Sequence, residues 1–454
     1  MGSQIADPTM HATALQHFEA GRLTEAAAAC EAILHRSPRD WLALRLLGHV
    51  RNNQRAFDEA AHLFTAALQA ATPNVPDEVS MLNGLAEALR GKRDFDGALD
   101  CYRRALTRNP RDVVTLQNHG STLVALNRHA EALEQYRLAR AIAPDALDLR
   151  LNEGIAMLAL GMWPEGWERL EARLSLPHLN PIDQFPKDVP HWRGETDIAG
   201  RSILLQAEQG LGDTLHFIRY VPLVAALGAR VVVRVQPTLA ALLARLPIAH
   251  TVLTFADAVP DVDVQCPIMS LPLVFGTTVV NVPAQGPYLG ASPEYLMLWQ
   301  ALLGLRRRIR IGLAWFGRQN RPQRSMPLQA LAQLLLARQD LEFHSLQKET
   351  PEADRHWLAT HRVVVDHSAD QKNFADTAAL VAQMDIVLSI DTSLAHLAGA
   401  LGKPVWIMLP FSADWRWLVG RADTPWYPTA RLFRQKRPDD WEGVIAEVAR
   451  ALSA

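Results

Sequence analysis

The chain has 454 residues, 49% of them hydrophobic, enough apolar material for about three domain cores. Its formal net charge of −2 removes any global electrostatic case for nucleic acid or an anionic membrane as partner. Cys30, Cys101 and Cys266 are scattered without a C-x-x-C spacing, the start MGSQIADPTM lacks a basic and apolar leader, and runs such as Leu223 to Leu227 are too short to span a bilayer; a cytoplasmic protein without a transmembrane segment is expected.

Internal repetition governs the first third. Gly48, Ala60, Phe64 and Ala67 recur as Ala86, Ala98, Tyr102, Ala105 with Pro110, and again as Gly120, Ala132, Tyr136, Ala139 with Pro144. The last two copies are 34 residues apart, the period of a tetratricopeptide helix–turn–helix. An earlier copy fits Gly21, Ala26, Cys30, Ile33 and Pro38, and the longer 38-residue step between the second and third copies is absorbed in the loop TPNVP. Small residues let paired helices approach, aromatics fill the gap to the next repeat, and proline ends each second helix. A fifth, degenerate unit from Leu147, with Gly154 and Gly161, runs into WPEGWERLEARL, which is expected to cap the array. Asn118 and Asn152 are candidates for the concave binding face, against plain exposed asparagine. These features predict a solenoid over 1–175 that binds a partner or serves as a platform.

Residues 176–200 are Pro-rich and irregular, as a linker would be. Beyond them short apolar strands alternate with amphipathic helices. One series occupies 201–305, with strands at Ile203 to Ala207, Ala229 to Val235 and Thr251 to Leu253. A second occupies 306–454, with strands RIGLAWFG, EFHSLQ, VVVD and Ile386 to Ile390. Two βα arrays after a solenoid predict two doubly wound, Rossmann-like domains.

Each array carries a loop suited to phosphate or substrate. In the first, Gly210 and Gly212 separate strand from helix and Asp213 follows at the helix start. The third glycine of G-x-G-x-x-G is missing, so this is not a dinucleotide fingerprint. Asp213 is either an N-cap or a general base, and His216, on the same helix face, is either packing or a second catalytic group. In the second array Arg318, Arg321 and Arg324 follow a strand and are solvated loop residues or diphosphate partners. Gln347 and Lys348 end another strand, where they can hold a base and a charge. Asp376 reads as an N-cap.

The segment from Asp385 to Trp406 reads strand, polar turn (Asp391, Thr392, Ser393), helix, glycine stop and strand. A helix starting at Thr392 or Ser393 aims unpaired N–H groups and a positive dipole end at that turn, which favours phosphate, with His396 a further donor. The plainer alternative makes Asp391 or Ser393 a cap and His396 a surface residue. The D-x-D at Asp261 to Asp263 lacks further oxygen ligands, so no metal is assigned. RRRIR at Arg306 to Arg310 reads as a charged strand entry rather than a nucleic-acid patch.

GLGDTLHFIRY, the loop ending RSMPL, DTSLAHLAGALGKPVW, and the tail DTPWYPTARLFRQ with DDWEGVI together resemble bacterial tetratricopeptide proteins carrying a glycosyltransferase domain. That domain is similar to the ADP-heptose:lipopolysaccharide heptosyltransferases (glycosyltransferase family nine) and, more loosely, the domain order resembles O-linked N-acetylglucosamine transferases. The resemblance implies a GT-B fold whose second Rossmann-like domain holds a nucleotide sugar without a bound metal or other cofactor. It implies Asp213 as catalytic base and Asp391, Thr392, Ser393 and His396 as the diphosphate turn. Ser393 stands where heptosyltransferases usually have glycine, and no lipopolysaccharide surface is recognisable. The expectation is an inverting, metal-independent glycosyltransferase acting on a protein or glycan hydroxyl presented by the solenoid. A non-catalytic adaptor is the alternative, and a nucleotide-sugar epimerase ranks third.

Overall fold

A computed structural model describes residues 8–72, 75–179, 185–317 and 324–453. The chain falls into two compact units, 1–156 and 157–454.

The first unit is built from helix pairs: α1 (Pro8–Glu19) with α2 (Leu23–Arg36), α3 (Trp41–Asn53) with α4 (Phe57–Ala70), α5 (Glu78–Gly91) with α6 (Phe95–Arg108), and α7 (Val113–Ala125) with α8 (His129–Ile142). α9 (Leu147–Ala159) begins in this unit. The repeated residues do what their sizes require. Ala60, Ala98 and Ala132 are fully buried, and Phe64 and Tyr102 sit fully buried beside them. Phe64 lies against both Gly48 and Gly84, where an added Cβ would stand 2.9 and 2.2 Å from its ring.

The turn between the paired helices has its own period. Gly21, Arg55, Arg93, Asn127 and Gly161 all have positive φ, between 61 and 80°. They are the left-handed residue that ends each first helix and starts the second. Gly21 therefore belongs to the turn register, whereas Ala14, fully buried in α1, stands 34 residues before Gly48. The residues at 73–74, inside the expected TPNVP insertion, lie outside the described residues.

The second unit opens with α10 (Trp163–Leu170) and a 3-10 turn, then carries two sheets. The first contains β1 (Ser202–Gln206), β2 (Arg230–Val235), β3 (His250–Thr254) and β4 (Val264–Pro267) in the order β3-β2-β1-β4, every pair parallel. Its helices are α11 (Leu211–Phe217), α12 (Val221–Ala226), α13 (Pro237–Leu243) and α14 (Leu271–Val274). The second contains β5 (Ile309–Ala314), β6 (Leu341–Ser345), β7 (Val364–Asp366), β8 (Ile386–Ile390), β9 (Val405–Leu409) and β10 (Ala430–Arg434), ordered β10-β9-β8-β5-β6-β7 and all parallel. Around it lie α15 (Pro293–Leu303), α16 (Leu328–Ala337), α17 (Glu352–His361), α18 (Phe374–Ala382), α19 (Ser393–Ala400) and α20 (Trp441–Ala451). Parallel strands covered on both faces read as continuous apolar runs, and Ile203 to Leu205 and Val387 to Leu388 are accordingly fully buried.

The WPEGW segment packs within this second unit. Trp163 stacks on Trp426 at 4.8 Å between ring centroids, and Trp167 meets Trp415 edge-on at 5.3 Å while its indole N–H donates to the Thr277 carbonyl at 2.8 Å. The Pro-rich segment before β1 is also tied down: the Trp192 N–H donates to the Gln265 carbonyl of β4 at 2.7 Å. Cys30, Cys101 and Cys266 are free and buried. Among the described residues no helix is long and apolar enough to cross a membrane.

Candidate functional site

The loop after β1 and the loop after β8 deliver α11 and α19 to one place. Gly212, in the first turn of α11, faces His396 and Ser393 of α19, and a Cβ there would stand 2.9 Å from His396 Cδ2. Glycine is what lets the two helix starts meet. Gly210 ends the β1 loop with its N–H donating to Asp213 Oδ2 at 2.9 Å.

Asp213 Oδ1 accepts a very short charge-assisted bond from Arg416 Nη2. Arg416 reaches Asp414 Oδ1 through Nη1 at 2.7 Å, and its guanidinium lies 4.4 Å from the Trp415 ring centroid. Arg324 joins the network from the other side, 2.8 Å from Asp414 Oδ2 and 3.1 Å from Asp391 Oδ2. Three carboxylates thus face two guanidiniums in a largely buried cluster. Burial pushes the Asp414 carboxyl up, but Arg416 and then Arg324 outweigh it and hold it well below the usual carboxylate range. Asp391 behaves oppositely: burial raises it, and Arg324 only partly offsets the rise.

The N-cap of α19 is Thr392, and it makes no side-chain capping bond. Its hydroxyl turns back to Ser389 at 3.2 Å, so the N-cap is neither Asp391 nor Ser393, and among the described residues no side chain caps the helix. His396 is buried rather than on the surface. Its Nδ1 lies 2.8 Å from the Tyr427 hydroxyl, its Nε2 4.0 Å from Asp391 Oδ1, and its ring stacks on Trp417.

His216 is fully buried and also meets Tyr427, with Nδ1 at 3.0 Å. It leaves the face it shares with Asp213 in sequence: the carboxylate turns to Arg416, the imidazole inward. Burial first, then Arg219, lowers its pKa well below the ordinary histidine range, and burial with Arg416 does the same to His396. A tyrosine hydroxyl has one proton, so it donates to one of these neutral rings and accepts from the other. Arg219 locks the same cluster, donating to the carbonyls of His216 at 2.8 Å and Trp426 at 2.6 Å and to the Tyr288 hydroxyl at 3.0 Å.

The remaining sequence candidates are employed elsewhere. Gln347 Oε1 accepts from the Trp315 and Phe316 N–H groups, both at 2.6 Å, fixing the exit of β5. Lys348 Nζ donates to the Ser368 and Gln371 carbonyls, both at 2.7 Å. The cap of α18 is Asn373 rather than Asp376, whose carboxylate accepts from Trp299 Nε1 at 2.6 Å and from the Lys372 N–H at 2.9 Å. Asp263 binds the Ser202 N–H and hydroxyl at 2.7 and 2.6 Å, stitching β4 to β1. Arg318 and Arg321 lie outside the described residues. Among the described residues no three His, Cys, Asp or Glu side chains are arranged to hold a metal ion.

In the first unit a groove of about 800 Å³ is lined by His49, Ser80, Asn83, Glu87, Arg108 and Asn118, among others. Of the two asparagines singled out from sequence, Asn118 lines it. Among the described residues the buried Oδ1 of Asn83 finds no hydrogen-bond partner there.

Sequence reasoning missed Asp414, Arg416, Arg219 and Tyr427. The available signal was position: FSADWRW follows β9 at the strand end where the other cleft loops lie, and an Asp and an Arg among tryptophans is an unusual loop composition.

Comparison with known proteins bears mainly on the first unit. Residues 11–76, 46–113 and 83–146 match the tetratricopeptide repeat, so the N-terminal helices are tetratricopeptide repeats. Protein FlbA of Caulobacter vibrioides is 26% identical over 442 residues, covering 83% of this chain and 73% of FlbA. The peroxisomal targeting signal receptor of Kluyveromyces lactis is 32% identical over 128 residues, 28% of this chain and 22% of the receptor. The crystal structure of MamA shares 17% identity with a TM-score of 0.32, covering 38% of this chain and 97% of MamA.

Proposed function

We propose that the second unit is a GT-B-like glycosyltransferase that binds a nucleotide sugar without a metal, and that the repeats bind the protein or glycan that accepts the sugar. The observation that carries this reading is the meeting of α11 and α19, which sets an acid at one helix start beside an uncapped helix N-terminus and two arginines. Phosphate oxygens suit the open N–H groups of Ser393 and its neighbours. The two guanidiniums add charge that stabilises a departing nucleotide. Asp391 holds Arg324 at 3.1 Å beside the same turn, so this guanidinium is positioned where an incoming phosphate would meet it.

Asp213 accepts the proton of the acceptor hydroxyl as that oxygen bonds to the anomeric carbon. The bond from that carbon to the phosphate oxygen breaks, and the nucleotide leaves with the electron pair. The carboxylate is free to act once Arg416 exchanges it for a phosphate oxygen. His216 and His396, bridged by Tyr427, position the two helix starts rather than carry protons to solvent. Gln347 and Lys348 shape the strand ends beside the donor.

The adaptor alternative rests on one observation: both cleft arginines are already paired with carboxylates, as they would be in a site that no longer receives phosphate. The repeats would then supply the whole function as a protein-interaction scaffold.

Release of nucleoside phosphate from a panel of nucleotide sugars separates the two. Asp213→Asn is expected to lower turnover by ~10²–10⁴-fold, the usual contribution of a general base, while nucleotide affinity does not fall. Release from no donor, or a rate unaffected by the substitution, removes the mechanism.

A further inference from the structure

The helix that leads into β5 carries an outward face that neither sheet uses. α15 is anchored by Trp299, whose ring is buried and whose N–H is bonded to Asp376 of α18, with Leu296 and Leu303 half-buried beside it. Outside that anchor its surface is open: Met297 is 63% exposed, Leu298 63%, Leu302 56%, and Leu305, just past the helix end, 85%. The four-residue spacing of 298 and 302 puts these two in one stripe along the helix, and Leu305 follows where Gly304, at φ 65°, turns the chain out of it. Single exposed aliphatics are ordinary, but three on one short helix with a fourth just past its end are not.

The stripe ends in Arg306, Arg307 and Arg308. Arg306 is committed to Asp385, and the later Arg310 is buried against Glu342. Arg307 and Arg308 are exposed, and among the described residues neither makes an ion pair. The acids nearby are occupied: Asp340, which feels the charge of Arg308, is bonded twice to Arg338, and Glu294 is held by Ser292. The net charge of −2 over the chain therefore conceals a local patch that is apolar and cationic.

We propose that this face of α15 docks on a membrane surface bearing anionic headgroups. Aliphatic side chains beside exposed arginines match an interface that is apolar below and negative above. A second copy of the chain fits less well, because it would bring its own Arg307 and Arg308 to the same patch. No helix need cross the bilayer, and the short helix would lie in its plane.

The test uses the full chain and sedimentation with vesicles of phosphatidylcholine alone or mixed about 2:1 with phosphatidylglycerol. Expected is binding to the anionic vesicles that exceeds binding to the neutral ones by roughly tenfold and weakens with salt. Leu298→Glu with Leu305→Glu, and separately Arg307→Glu with Arg308→Glu, should each abolish it at an unchanged melting temperature, since all four side chains are exposed. No binding to anionic vesicles, or binding that survives both pairs of substitutions, overturns the proposal. So does a wild-type dimer that Leu298→Glu dissociates in the absence of lipid binding, which would assign the face to a second copy. None of these readouts involves a nucleotide, so they stand or fall apart from the transferase reading.

Discussion

Replacing Arg416 with Met should destabilise the second unit by an amount the cleft geometry bounds. Arg416 is 6% exposed and holds two carboxylates, Asp414 at 2.7 Å and Asp213 through its shortest bond. Removing one member of a buried ion network leaves unpaired charge and typically costs about 3–5 kcal/mol. The low end applies here. Asp414 keeps Arg324 at 2.8 Å, Asp213 keeps the Gly210 N–H at 2.9 Å, and the Asp213 side chain is 21% exposed. A loss of about 3 kcal/mol corresponds to a melting shift of roughly 5 °C for a unit of this size. The apolar Met stem preserves part of the packing on Trp415 and Phe217, so the loss is electrostatic rather than a cavity. Calorimetry at fixed scan rate measures it. Adding Asp213→Asn and Asp414→Asn to Arg416→Met should recover most of the shift, because the charges then leave together. The pH dependence has a definite sign. Asp414 is held below its unfolded value, so its stabilisation is complete above about pH 4 and fades at lower pH. The gap between wild type and Arg416→Met should narrow accordingly below about pH 4. A shift under about 1 °C at neutral pH, or a gap independent of acid, would refute the network as a structural element.

In the solenoid, Gly84→Ala would place a Cβ 2.2 Å from Phe64 Cζ. Overpacking of about 1–3 kcal/mol should exceed the gain of about 1 kcal/mol from helix propensity, and Phe64→Leu should reverse the effect in urea melts. Burial takes the His129 imidazole down to about 4, so the folded repeats favour the neutral ring. Its contribution is full above about pH 6.5 and falls by up to roughly 3 kcal/mol as pH drops toward 4. His129→Leu should flatten that part of the pH–stability curve measured by circular dichroism.

Repeats and strands were legible because each rests on a period. The tetratricopeptide pattern repeats small and aromatic residues at fixed offsets, and β8 to α19 announces itself by an apolar run, a polar turn and a second apolar run. The left-handed turn register was half hidden, since Arg55 and Arg93 occupy positions where glycine at 21 and 161 gives the signal. The segment WPEGW read as an array cap, but tryptophans bury wherever a large apolar pocket accepts them, and here Trp426 and Trp415 provide it. The site was legible only where a loop follows a strand, as at Gly210, Asp213 and Asp391. Pairings such as Asp213 with Arg416, or His216 with Tyr427, join residues about two hundred positions apart and have no local signature. Gln347 and Lys348 stood at a promising strand end, yet nearby backbone groups claimed their polar atoms first. Unsatisfied backbone N–H and carbonyl groups in a buried loop attract such side chains as strongly as a ligand would.

The proposed function requires that the place where the starts of α11 and α19 meet receives a nucleotide phosphate without a metal. Isothermal calorimetry with UDP, ADP, GDP, CDP and the matching monophosphates, with and without EDTA, tests it most directly. One base is expected to be preferred at micromolar strength, with affinity unchanged by EDTA and weakened by Arg324→Ala. At a hundredfold excess over the dissociation constant that ligand should also stabilise the protein by ~2.7 kcal/mol. Absence of binding to every nucleotide, or binding abolished by EDTA, would contradict it.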